Sequence, residues 1–381
     1  MDAPDSGPHG EEVAALRRHL DAPDLWIPAA TVALLAIGVI TVHSASTVLS
    51  AERFHDPFYY FKRQVMWAGL GLLLMFLVSR LDYRAFAKYA RHIMLLCLLF
   101  LGIVLIPHIG TVRGGSRAWL GIGTFGIQPS EFAKFGLILF FSWLLSRDPD
   151  RMLSFRKGLL PPLILMSLVV GLIMLEPDLG QSAVIAGATM IMVFVAGARA
   201  RHLWALAGAG LAAFGAMVAV APYRLERVVA FLNPWKYPDT SGYHIIMSLL
   251  ALGRGGLIGA GLGGSTQKHL YLPEPQTDFI FAILTEELGL LGAAATILLF
   301  ALLIWRGMRA AMRSRDRFGS YLAAGLTGVI AVQALINIGV VSGALPVTGI
   351  TLPFLSYGGS SLTLMLTAVG VLMSVSRQME Y

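Results

Sequence analysis

LLPPLILMSLVVGLIMLEPDLGQSAVIAGATMIMVFVAG, residues 159–197, decides the fold class. Two apolar runs, 159–175 and 180–197, flank the turn Glu176-Pro177-Asp178, and that turn carries the only charges in the stretch. A helix needs roughly 20 mostly apolar residues to cross the hydrocarbon core. In lipid the backbone must also satisfy its own hydrogen bonds, which a helix does within one segment. The stretch therefore reads as two membrane helices joined by a tight polar turn.

The rest of the chain repeats the pattern. Of 381 residues, 56% are hydrophobic and only 13% charged, about half the charged share of a soluble domain. Such a chain cannot cover its surface with polar groups, which excludes an ordinary soluble enzyme and a disordered chain alike. Spans are expected near 25–46, 65–79, 92–107, 131–146, 159–175, 180–197, 202–221, 279–305, 319–342 and 360–376. The fold class is thus an all-α polytopic membrane protein of about ten transmembrane helices. Residues 1–24 read as an N-terminal tail, 25–377 as one membrane domain and 378–381 as a C-terminal tail.

The 29 Lys and Arg against 22 Asp and Glu give a net charge of +7, and position explains the excess. Arg17, Arg18, Arg80, Arg84, Lys88, Arg91, Arg147, Arg151, Arg156, Lys157, Arg199 and Arg201 fall on one set of span ends. Arg306, Arg309, Arg313, Arg315, Arg317 and Arg377 complete that set. The positive-inside rule makes this face cytoplasmic, with both termini on it. The basic balance is a topology signal, and no nucleic-acid partner is expected. The single cysteine, Cys97, lies in an apolar run, so neither a disulfide framework nor a CxxC site exists.

On the opposite face, residues 222–278 form a connection longer than a compact bundle needs, and long connections are usually functional. Its apolar run 245–252 suggests an amphipathic helix in the interface. Gly259, Gly261 and Gly264 match GxGxxG, but no strand precedes them, so a flexible or tightly packed loop is the better reading.

Five motifs could carry chemistry. Gln128-Pro129-Ser130-Glu131-Phe132-Ala133-Lys134 opens the fourth span with helix-start residues. It sets Glu131 and Lys134 at i, i+3, either as a structural ion pair or as functional intramembrane charges. The acid of Glu176-Pro177-Asp178-Leu179-Gly180 is a turn former or a ligand group. Pro273-Glu274-Pro275-Gln276-Thr277-Asp278 leads into the eighth span; Thr277 or Asp278 caps that helix, or Asp278 performs catalysis or ligand binding at the outer surface. Glu286 and Glu287, about two turns further in, lie too deep to be solubilising. Ser356-Tyr357-Gly358-Gly359-Ser360-Ser361 permits close helix approach, or its backbone amides hold an anionic headgroup.

Lys62-Arg63-Gln64, Gly115-Ser116-Arg117-Ala118-Trp119, QPSEFAK at 128–134, PDLG at 177–180, TDFIFA at 277–282, EELG at 286–289 and SYGGSS at 356–361, in this order, resemble the shape, elongation, division and sporulation (SEDS) family. The resemblance covers roughly residues 25–377. It implies polymerisation of lipid II into β-1,4 glycan strands on the outer face of the bacterial cytoplasmic membrane, with undecaprenyl pyrophosphate leaving. It implies Asp278 as the essential aspartate, and the acid and lysine of the QPSEFAK motif carry over to Glu131 and Lys134. A class B penicillin-binding protein that cross-links the strands is the implied partner, besides lipid II, the nascent strand and membrane lipid.

The expected chemistry follows from those roles. Asp278 is the base for the attacking sugar hydroxyl. Lys134, Arg117 and a divalent cation, Mg2+ or Mn2+, neutralise the leaving pyrophosphate, with Asp278 as the candidate metal ligand and Glu131 orienting Lys134. Further substrate contacts are expected at Lys62, Arg63 and Asp178, and at Glu274, Gln276 and Thr277. Ser356, Gly358, Gly359 and Ser360 complete the candidate set. The family often has His where this chain has Gln276, so a histidine there is no required proton carrier. The runs 271–276 and 348–353 are most similar to the sporulation member, which favours spore cortex synthesis over septal wall. A lipid II transporter and a non-catalytic scaffold are the alternatives. A transporter predicts ionisable residues along a midplane path, and a scaffold predicts that Asp278 and Glu131 can be replaced without loss.

Overall fold

A computed structural model describes residues 23–113, 116–121, 126–148, 154–220, 222–269 and 271–379. Residues 1–22 of the expected N-terminal tail, with Arg17 and Arg18, lie outside the described residues, as do Gly115, Arg151 and residues 380 and 381. The helices are α1 (Trp26–Phe54), α2 (Tyr59–Arg80), α3 (Arg84–Val104), α4 (Pro129–Arg147), α5 (Leu160–Leu175) and α6 (Leu179–Val195). They continue as α7 (Ala200–Val220), α8 (Pro222–Leu232), α9 (Tyr243–Gly255), α10 (Ile280–Met312), α11 (Arg317–Val341) and α12 (Gly359–Ser376). Each expected span falls on one of them. Among the described residues, eight helical segments are long and apolar enough to cross a membrane; α6 is shorter, and α4 carries Glu131, Lys134 and Arg147.

Helix ends differ from the sequence expectation for physical reasons. α2 begins at Tyr59, six residues before its apolar run. An aromatic–cation cluster stabilises its first turn: Phe54 stacks on Tyr59 at 3.7 Å, and the Arg63 guanidinium lies 4.5 Å from the Tyr59 ring centre. α3 begins at Arg84, because Asp82 accepts a hydrogen bond from the Arg84 amide (2.9 Å) and Asp316 pairs with the Arg84 side chain (3.0 Å). Several hydroxyls inside apolar helices are satisfied locally, as where Thr31 and Thr41 donate to carbonyls four residues earlier.

α11 and α12 form the centre, each two-thirds buried along its apolar window, whereas only 11% of the α7 window is buried, which places α7 at the rim. α12 packs along α2, α1 along α10, and α11 against α4, α6 and α10. Glycines permit the close approach of α12 to α2: a Cβ on Gly71 would fall 2.5 Å from the Leu366 side chain, and one on Gly359 2.6 Å from the Trp67 ring. A short hairpin, β1 (Thr111–Arg113) and β2 (Ser116–Trp119), interrupts the helices between α3 and α4, with Val112 opposite Arg117.

The long connection 222–278 is built, not loose. α9 packs against α10 with Ile245, Ile246 and Ala251 buried, so the segment expected at the interface is partly core. The glycine-rich segment behind it lies against a break in α10 at Gly289 (φ 66°, ψ −168°). The amides of Ala260 and Gly261 donate to the carbonyls of Glu286 and Glu287, and the amides of Leu290 and Leu291 donate to the carbonyls of Gly256 and Leu257. Gly259 must be glycine here, because a Cβ would meet the Glu287 carbonyl oxygen at 2.1 Å.

Candidate active site

The first element of the site is the start of α4. Pro129 occupies its first turn, where a missing amide hydrogen costs nothing, and Glu131 and Lys134 follow on one face. Both are almost wholly buried. Lys134 Nζ donates to Glu131 Oε2 (2.9 Å), Gln333 Oε1 (2.8 Å) and Gln181 Oε1 (3.3 Å). An ammonium has three protons, and all three are spent on protein. Gln181 also donates to Glu131 Oε1 (2.5 Å). Lys134 is therefore a fixed positive centre joining α4, α6 and α11. Neutralising a leaving group directly, the role expected of it, would require breaking one of these bonds.

The second element is the α5–α6 turn. Asp178 caps α6 by accepting from the Gln181 amide (2.9 Å) and also accepts from Gln128 Nε2 (3.1 Å), tying the turn to the start of α4. Burial pushes its carboxyl up to about 6, with Glu131 adding to the rise. Glu176 is wholly buried with neither carboxylate oxygen paired among the described residues. Burial pushes it up to about 8, helped by Asp178. Ser116 of β2 donates to the Glu176 carbonyl, which brings the hairpin carrying half-buried Arg117 onto this turn.

The third element is the approach to α10. Thr277 donates through its amide and hydroxyl to the Glu274 carbonyl (3.2 Å each), and Gln276 Nε2 donates to Glu274 Oε2 (2.9 Å). The resulting turn presents Asp278 half-buried at its edge. Burial pushes the Asp278 carboxyl up to about 7; Glu274 and Asp178 add to the rise, and Arg227 opposes it. The segment before α12 clamps this turn. Ser356 donates to the Thr277 carbonyl (2.6 Å), and the Tyr357 amide donates to the Gln276 carbonyl (2.8 Å). Gln64 Nε2 donates in turn to the Ser356 carbonyl (3.2 Å). Ser356 thus spends its hydroxyl holding Asp278's loop, and Gly359 serves close packing; Ser360 is buried and Gly358 precedes α12.

The structure thus gathers Asp278, Glu274, Gln276, Thr277 and Ser356 into one loop cluster. Through side-chain bridges it joins Asp178 to Glu131 and Lys134. Lys62 stands apart on the exposed rim, paired with Asp56 at 2.9 Å, and Arg63 lies over Tyr59.

Four participants escaped the sequence reading. Gln181, Gln333 and Asn337 are lone amides in apolar helices and carry no charge to flag them. Arg227 of α8 was visible only as one basic residue in a long connection. It donates weakly to the Val347 carbonyl (3.4 Å) and lines a cleft with Pro177, Leu179, Phe214, Val218 and Thr348. Exposed and cationic beside Asp278, it suits an anionic ligand entering an otherwise apolar cleft. Among the described residues no three His, Cys, Asp or Glu side chains converge as a metal cage.

Residues 25–381 match the model of the FtsW/RodA/SpoVE family, described as cell cycle protein. The stage V sporulation protein E of Bacillus subtilis (strain 168) is 51% identical over 94% of this chain and 98% of its own length. The probable peptidoglycan glycosyltransferase FtsW of Geobacter metallireducens is 41% identical over 95% of this chain and 97% of its own. The rod shape determining protein RodA of Thermus thermophilus superposes with a TM-score of 0.70 at 29% identity, covering 94% of this chain and 98% of that one. A chain of a peptidoglycan synthase complex, solved to show the coordination of polymerization and crosslinking, superposes with a TM-score of 0.76. It is 31% identical and covers 93% of this chain and 98% of its own.

Proposed function

The chain belongs to the FtsW/RodA/SpoVE family of multi-pass membrane proteins, and from that premise we propose that it is a peptidoglycan glycosyltransferase. It polymerises lipid II at the outer face of the cytoplasmic membrane, and both termini lie on the cytoplasmic side. In the transfer, the acceptor sugar hydroxyl forms a bond to the anomeric carbon of the donor as the bond to pyrophosphate breaks. The hydroxyl proton passes to the Asp278 carboxylate, and the electron pair leaves on undecaprenyl pyrophosphate. One displacement converts an α-linked donor into a β-1,4 glycan.

The observation that carries this reading is Asp278 itself, a half-buried carboxyl raised to about 7 and within the field of Arg227, on a turn that Ser356 and the Tyr357 amide clamp. A general base works best when its pKa lies near the operating pH, and such a group contributes typically about 10²–10⁴-fold. Arg227 and Arg117 would meet the pyrophosphate, since Lys134 Nζ donates to Glu131, Gln181 and Gln333 within the protein. A divalent cation, Mg2+ or Mn2+, would have Asp278 as its one protein carboxylate and would be held there only together with the substrate's phosphates, since no metal cage forms among the described residues. When bound it would neutralise charge developing on the leaving group.

A class B penicillin-binding protein is the proposed partner, supported by the likeness to a complex that couples polymerization to crosslinking. The 51% identity to a stage V sporulation protein supports spore cortex as the product. The test is strand formation from labelled lipid II by the purified protein, with and without that partner and a chelator. Long strands from wild type and none from Asp278→Ala are expected. Strands from a folded Asp278→Ala protein would overturn the reading.

A further inference from the structure

Two side-chain amides on one face of α11 reach both halves of the site. Gln333 and Asn337 stand four residues apart, so they project from the same side of the helix, and both are buried. Gln333 Oε1 accepts from Lys134 Nζ (2.8 Å), while its Nε2 donates to the Thr351 carbonyl (3.0 Å). Asn337 Nδ2 donates to the Ile350 carbonyl (2.7 Å) and to the Asp278 carbonyl (2.8 Å). Residues 350 and 351 are consecutive, so one short strap of chain is fastened to α11 at two successive peptide units. Lys134 hangs from one fastening and the Asp278 backbone from the other.

The strap is shaped for this task. Gly349, just before it, has φ +73°, and a Cβ there would lie 3.5 Å from Asp278 Oδ2. The Ile350 side chain packs so closely on Gly180, at the start of α6, that a Cβ on Gly180 would meet it at 2.5 Å. Asp278, the strap and the Asp178-capped helix therefore share one packed frame.

We propose that Gln333 and Asn337 are positioning residues for the transfer, an amide yoke that sets Asp278 relative to the Glu131–Lys134 pair. The proposal rests on the reading of Asp278 as the reacting carboxylate. The chemistry at both positions calls for amides. Gln333 must accept from an ammonium and donate to a carbonyl at once, which neither an ionised Glu nor a Lys does. Asn337 must donate two protons to two carbonyls, which a carboxylate cannot do. Asn337 Oδ1 is left buried without a partner among the described residues, a cost that native structures seldom carry without a reason. A yoke of this kind acts on geometry, and a misplacement of about 1 Å far from the reacting atoms can cost on the order of 10²-fold in rate.

The test measures kcat and KM for lipid II polymerisation by the full-length protein, alongside melting temperature in detergent. Asn337→Ala is expected to lower kcat by on the order of 10²-fold, with KM held within about threefold because Asn337 itself does not line the cleft. Gln333→Ala should act the same way, more weakly. The double variant should lose less than the product of the two singles, since both release the same strap. Should Asn337→Ala fail to accumulate, Asn337→Asp keeps the shape, lacks the donor pair and should show the same split. Wild-type kcat in a folded Asn337 variant, while Asp278→Asn is inactive, would overturn the yoke and leave the base assignment standing. A loss spread over kcat and KM in step with a lower folded fraction would overturn it too, as a merely structural role. Activity in Asp278→Asn would instead remove the reading on which the yoke depends.

Discussion

Glu131 and Lys134 on α4 and Glu286 and Glu287 on α10 are both ionisable pairs set into apolar helices, and both are almost wholly buried. Their hydrogen bonds run in different directions. The α4 pair balances its own charge and is completed by two amides, Gln181 and Gln333, drawn from two other helices. From Gln333 the network continues to the strap at 351 and, through Asn337, to Asp278. The α10 acids meet mainly a single loop. Glu286 accepts from the Ser265 hydroxyl (2.5 Å) and the Thr266 amide (3.0 Å), while Glu287 accepts from Lys268 (3.3 Å) and from Ser44 of α1 (2.6 Å). They form a socket that seats the chain entering the membrane domain beside the Gly289 break. A buried charge in an apolar helix thus marks either chemistry or the docking of irregular backbone. The direction of its network tells which.

The comparison breaks first under charge removal. Lys134→Met leaves Glu131 buried and unpaired, which costs about 3–5 kcal/mol of stability, and strand formation should fall with it. The double change Glu131→Gln with Lys134→Met removes both charges; it should recover most of the melting temperature and none of the activity. At the other cluster, Glu287→Gln leaves Lys268 without its counter-charge and should cost a similar amount of stability, read by thermal melting. Activity per folded molecule should then stay near wild type. Loss of catalysis in folded Glu287→Gln equal to that of the double variant would erase the distinction.

A smaller effect sharpens the site itself. Because the Asp278 carboxyl is raised to about 7, the base form is lost as pH falls through that value, and kcat should fall with it. Arg227 holds this carboxyl down, so Arg227→Ala should move the midpoint of the pH profile upward. A downward or absent shift would separate Arg227 from Asp278. The smallest effect belongs to the rim. Lys62 pairs with Asp56 in an exposed position, and Lys62→Ala should leave both melting temperature and strand yield unchanged.

Much of the fold was legible because membrane helices are written in single-residue hydropathy, which needs no tertiary partner. Helix starts were less legible where partners supply the stability: Tyr59 leans on Phe54 and Arg63, and Arg84 on Asp316, 232 positions away. Asp278, Glu131 and Lys134 stood out because a charge beside an apolar run is costly. Gln181, Gln333 and Asn337 did not, since an uncharged amide is tolerated in many helices and gains its role only from the carbonyls and the ammonium facing it. Gly259 and Gly261 looked like a loop and proved to lie in a segment, 256–261, laddered by backbone hydrogen bonds to 286–291, a pairing that requires knowing where α10 breaks.

The most direct measurement of the central claim separates binding from transfer at Asp278. Wild type and Asp278→Asn, purified identically, would be given labelled lipid II, with bound lipid and long glycan strands quantified from the same sample. The Asp278→Asn protein is expected to bind lipid II about as well as wild type and to make no strands. Strands at the wild-type rate from the folded variant would contradict it.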